Sequence, residues 1–140
     1  MILSDNVHNL KPRAESEKIT INLGFVDLGH VDLLVRDGFY SNRSDFIRTA
    51  IRNQIEHHSE ATQRSQVRNA LELGNRHFSR AQLEDAQARG VKLDINVLGL
   101  ATIAADVSAE LARNTIRSVT VLGAFHASAQ VKAALADRTG

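Results

Sequence analysis

Residues 17–24, EKITINLG, alternate strictly, with Lys18, Thr20 and Asn22 polar and Ile19, Ile21 and Leu23 apolar. A period of two marks a half-buried β-strand. The surrounding residues offer no second strand, and a lone strand leaves its backbone N–H and C=O groups unsatisfied. The period then changes. In FVDLGHVDLLVRDG, Leu28, Val31, Leu34 and Val35 fall on one helical stripe, and Gly38 after Asp37 is a natural left-handed terminator. A second helix follows in FYSNRSDFIRTAIRNQIEHH. Ser41 is its expected N-cap, Asp45 lies near its positive end, and Phe46, Ile47, Ala50, Ile51 and Ile55 form its apolar face. Residues 56–66, EHHSEATQRSQ, are polar and stripe-free, so the domain boundary is expected there.

Beyond it the pattern repeats. ARGVKLDINVLGLATIAADVSAEL (88–111) and ARNTIRSVTVLGAFHASAQVKAAL (112–135) align without a gap at a period of 24. Identical pairs include Val97/Val121, Leu98/Leu122, Gly99/Gly123, Val107/Val131 and Leu111/Leu135, and Ile95/Val119 is conservative. Each unit reads as a strand ending in Val-Leu-Gly, a turn and a small amphipathic helix. FSRAQLEDAQARG (78–90), with Ser79 as cap and Gly90 at its end, reads as the helix of a degenerate earlier unit. A repeat of this length signals stacked supersecondary units. The expectation is a small β/α, solenoid-like module of parallel strands.

One strand and two helices in some forty residues are too little to bury a core. A second copy of the chain resolves this. Two strands pair antiparallel about a two-fold axis, and four helices close over their apolar side. Ile19, Ile21, Leu23, Leu34, Phe46, Ile47, Ala50 and Ile51 are then the dimer core. Lys18, Thr20 and Asn22 face outward.

KITINL, VDLGHVDLLVRDG and GFYSNRSDFIRTAIRNQ resemble a ribbon-helix-helix DNA-binding domain of the Arc, MetJ and CopG type. The resemblance spans residues 17–58, and its most specific part is the run from Gly38 to Arg48. It implies a symmetric ribbon in the major groove and a phosphate gripped at the start of the second helix. Independent chemistry agrees. A two-stranded ribbon fits the major groove, where Lys, Thr and Asn can read base edges. N–H groups at a helix start, beside Ser41, Asn42 and Arg43, suit a phosphate.

Composition constrains the partner. The net charge is +1, and the halves differ little: residues 1–60 carry 7 Lys+Arg against 9 Asp+Glu, residues 61–140 carry 10 against 7. With an acidic N-terminal half, Lys11 and Arg13 in the arm would supplement non-specific affinity. There is no Cys, which removes disulfide and thiolate chemistry. No apolar run reaches a membrane span, and the first residues lack a signal-peptide pattern. A cytoplasmic, nucleoid-associated protein is expected.

No nucleophile–base–orienter set stands out, so no enzyme, metal site or cofactor is expected. His57 and His58 point about 100° apart on a helix and lack companion ligands. Asp27, Asp32 and Asp37 are expected to be solvated, and His126 to be a satisfied, partly buried imidazole.

The whole reads as an α+β protein. A flexible arm (1–16) precedes a ribbon-helix-helix domain (17–58). A helical linker (59–74) leads to a β/α repeat (75–140) serving oligomerisation or an effector. The function expected is a homodimeric, site-specific DNA-binding transcriptional regulator, a repressor, binding double-stranded DNA and assembling into a tetramer or larger. An antitoxin is one alternative, although residues 88–135 are apolar and repetitive where antitoxin tails tend to be polar and disordered. An architectural DNA-assembly protein is another. An unidentified protein or small-molecule effector for residues 75–140 stays open.

Overall fold

The structure is a computed structural model that describes residues 16–140. Two compact units divide between Glu56 and His57. In the first, residues 17–24, expected as a strand, form no regular secondary structure in the single chain and pair with no strand among the described residues, because a strand without a ladder partner is not held. Helix α1 (Phe25–Arg36) follows. Its end is a Schellman motif: Phe39 N–H donates to Leu34 C=O (3.0 Å), Gly38 N–H donates to Val35 C=O (3.1 Å), and Gly38 takes φ +85°. The expected stripe faces inward, with Val31 buried and Leu28, Leu34 and Val35 half-buried. Helix α2 (Arg43–His57) has no buried residue at all.

The second unit opens with helix α3 (Ser59–Arg68), followed by strand β1 (Glu72–Phe78) and helix α4 (Arg80–Ala88). Strand β2 (Leu93–Ile103), helix α5 (Ala109–Thr115), strand β3 (Ile116–His126) and helix α6 (Ala129–Ala134) complete it, with a short 3₁₀ turn at Ala136–Arg138. The strands form one parallel sheet in the order β1-β2-β3. A serine starts each of the last three helices: Ser79, Ser108 and Ser128 accept from the N–H of Gln82, Leu111 and Val131. At Ser79 the Gln82 side chain returns the bond, a full capping box. Helices and sheet enclose a core built around Leu83, Ile95, Ile103, Ile116, Val119 and Leu135.

The strand register sets Val97 against Val121, Leu98 against Leu122 and Gly99 against Gly123, the pairs that the 24-residue alignment matched. One strand was missed. Glu72–Phe78 begins inside the segment expected to be linker, and it sets Gly74 beside Gly99. The three glycines form a column across the sheet with φ of +120°, +142° and +122°. A Cβ on Gly99 would lie 2.2 Å from the Gly74 carbonyl oxygen, and one on Gly123 would lie 2.1 Å from that of Gly99. No L side chain fits either place.

The sheet edges are guarded differently. Along β1, Glu72 and Arg76 pair at 2.9 Å, and the Arg76 guanidinium lies 5.0 Å from the Phe78 ring centre. Along β3, Thr139 bridges to Val119 and Gly140 N–H donates to Val119 C=O (2.9 Å). Arg138 holds this C-terminal segment down by donating to the carbonyls of Arg113 and Ile116.

Candidate nucleic-acid interface

Residues 17–24 present their apolar side chains to solvent. Ile19 is 73% exposed and Ile21 59%, and Leu23 is exposed as well. Lys18, Thr20 and Asn22 alternate with them and are also exposed. On the helices, Leu34, Phe46 and Ile47 are half-buried, whereas Ala50, Ile51 and Ile55 are exposed. Val31 is the one buried hydrophobic residue among the described residues up to Glu56. The rings of Tyr40 and Phe46 meet edge to face at 5.0 Å, bracing the turn between the helices.

At the start of α2 the hydrogen bonding corrects the expected cap. The capping oxygen is on Asn42, which accepts from Asp45 N–H (2.8 Å), while Asp45 accepts from Ser41 N–H (2.9 Å). Ser41 is therefore held by its backbone. The Asn42-x-x-Asp45 spacing is a capping signal in its own right, and Asp45 is one residue nearer to Asn42 than to Ser41. The N–H groups of Arg43 and Ser44 remain first-turn donors with no carbonyl four residues back in the helix.

Arg43 is not extended into solvent. Its guanidinium forms a two-pronged pair with Asp32 of α1, Nε to Oδ1 at 2.7 Å and Nη2 to Oδ2 at 2.8 Å. The hydrogen bond from Arg43 holds the Asp32 carboxyl below its ordinary pKa, and the same pairing raises that of Arg43. Asp32 is thus paired, contrary to the expectation that all three acidic residues of this stretch are merely solvated. An ion pair between positions eleven apart in sequence left no local signal.

Ser41, Asn42 and Arg43 thus gather at one helix start. Lys11 and Arg13 lie outside the described residues. His57 and His58 touch edge to face, with ring centres 5.1 Å apart. Among the described residues no group of three or more His, Cys, Asp or Glu could hold a metal ion. His126 is exposed on the sheet, where the repeat alone suggested partial burial. No helix among the described residues is long and apolar enough to cross a membrane.

The alternating segment pairs with no strand among the described residues, and the two helices after it bury almost nothing. The chain belongs to the ribbon-helix-helix transcriptional regulator family, whose model matches residues 14–132. No curated protein and no solved structure matches. Ribbon-helix-helix proteins bind DNA and dimerise generally, and the family is typically non-enzymatic. Membership points to a DNA-binding transcriptional regulator.

Proposed function

We propose that this chain is a site-specific repressor. Two copies pair residues 17–24 into an antiparallel ribbon that enters the major groove, with Lys18, Thr20 and Asn22 of each copy reading base edges. Ile19, Ile21, Leu23, Leu34, Phe46, Ile47, Ala50 and Ile51 become the shared core. The observation that carries this reading is the exposure of the strand's apolar side, Ile19 at 73%, beside polar residues in strict alternation. The N-terminus of α2 binds a phosphate through the N–H groups of Arg43 and Ser44, with Ser41, Asn42 and the Arg43 cation beside it. Asp32 sets the cost of that contact, because Arg43 must share its guanidinium between the carboxylate and the phosphate.

Residues 75–140 serve assembly, stacking as a short solenoid-like repeat and joining ribbon dimers so that one complex holds adjacent sites in the nucleoid. Joined sites raise occupancy through effective concentration without new base contacts.

Selection of binding sites from random duplexes tests the readout. Thr20→Ala or Asn22→Ala should weaken the selected site by about 1–3 kcal/mol and relax preference for it. Arg43→Ala should weaken all duplexes alike and reduce the salt dependence. Sequence preference that survives both ribbon substitutions would overturn the groove assignment.

A further inference from the structure

Most of the sheet's buried side chains lie on one face. Along β2, Ile95, Val97, Ala101 and Ile103 are buried on one side, while on the other Asp94 is exposed, Asn96, Leu98 and Leu100 are half-buried and Thr102 is buried. The register carries that second face across the sheet as a row of leucines, Leu73, Leu98 and Leu122. The outer two are 73% and 54% exposed in the single chain. Parallel sheets are ordinarily covered on both faces.

The composition of this face narrows what covers it. By alternation it carries Leu, Asn, Ser, Thr and Ala side chains, with His77 and His126 toward one end and Asp94, paired with Arg117, at the opposite corner. In a chain that is 24% charged, the scarcity of Lys, Arg, Asp and Glu there is selective. With no Lys or Arg outside the Asp94–Arg117 pair, it is poorly suited to a phosphate backbone or an anionic membrane. With no unpaired Lys, Arg, Asp or Glu it carries no fixed charge to repel its own image, as a two-fold interface requires. The edges are less suitable. Glu72 and Arg76 flank the β1 edge, and Thr139 and Gly140 occupy part of the β3 edge.

Size supports the same occupant. Three strands about 4.8 Å apart and roughly 30 Å long present on the order of 450 Å², well below the roughly 800 Å² per partner of a standard interface. Such a face is too small to capture a free partner tightly. A second copy already joined through the ribbon unit arrives at an effective concentration in the millimolar range.

We propose that this second face is an isologous interface at which the C-terminal units of two copies pack their Leu73, Leu98 and Leu122 rows together. This identifies the surface behind the assembly role proposed above, and its test separates the two.

The full chain has no Cys, so Leu122→Cys introduces its only thiol. The expected result is maleimide labelling at least ten-fold slower than that of Ala133→Cys, a control at an exposed position on α6. Adding Leu73→Asp should restore fast labelling. The mass of the Leu73→Asp chain reports the arrangement: halved where the faces join dimers, unchanged where they close within one. Either mass, together with restored labelling, supports the interface. Labelling of Leu122→Cys as fast as the control overturns it, and so does protection that survives Leu73→Asp. A monomeric mass for the unaltered chain would instead remove the ribbon reading.

Discussion

Gly99→Ala is the sharpest probe of the C-terminal unit. Two costs add. At φ +142° an L-alanine sits in backbone space that only glycine occupies readily, a strain of about 1–3 kcal/mol. Its methyl would also start 2.2 Å from the Gly74 carbonyl oxygen, so one strand must move, a further cost of about 1–3 kcal/mol. The sum is about 4 kcal/mol, much of the roughly 4–12 kcal/mol available to a unit of this size. Gly74→Ala separates the terms, because Gly74 has a comparable φ of +120° and nothing within 4 Å of the added atom. It should lose about 1–3 kcal/mol. At about 4–8 °C per kcal/mol, Gly99→Ala lowers the melting temperature by roughly 15–30 °C and Gly74→Ala by about half as much. Urea unfolding followed by circular dichroism measures both, with equal m-values licensing the comparison. If Gly99→Ala is no worse than Gly74→Ala, the close approach is not a constraint. If both lie within about 0.5 kcal/mol of the unaltered chain, the left-sided backbone is not one either.

The remaining predictions concern other parts of the chain. Ala70 closes α3 at φ +52°, with Leu71 N–H donating to Gln66 C=O as in a Schellman motif, so Ala70→Gly should stabilise by about 1 kcal/mol in the same urea assay. Asp94 is held down from the usual 3.8 to about 2 by hydrogen bonds from Arg117 and then Ser118. A depressed carboxylate stabilises the fold above its unfolded pKa and loses that contribution as pH falls through the folded one. Acid titration should therefore show a stability loss between about pH 4 and 2 that Asp94→Asn removes. Asp32→Asn releases Arg43 and should raise affinity for every duplex while steepening the salt dependence. An unchanged slope would mean that Arg43 does not reach phosphate.

Both helices of the first unit were legible because their stripes and terminators are local: Gly38 adopts the left-handed turn expected of it. Ser79 and Gly90 mark the ends of α4 for the same reason. The 24-residue period was legible because stacked strands place like residues side by side, and the register pairs Val97 with Val121 accordingly. Strand β1 was hidden by its position. At the sheet edge Glu72, Leu73, Asn75, Arg76 and His77 are all exposed, and Phe78 alone is buried, so no alternation betrays the strand. The bond between Asp32 and Arg43 was hidden because two helices must already be packed before those positions meet. The cap at Asn42 does carry a local signal, an Asn three residues before an Asp, but the adjacent Ser41 is an equally good capping residue, and only the hydrogen bonding separates the two.

The near-absence of a core in residues 16–56, with Val31 alone buried, bears on dose. Under the proposed ribbon pairing, the strand's apolar side is covered only by a second copy, so folding and pairing would be one event. While most chains are unpaired, the competent species grows as the square of the chain supply, and halving expression quarters it. A promoter read by such a species responds to regulator level more steeply than one read by a pre-folded monomer, before any cooperativity between neighbouring sites is added.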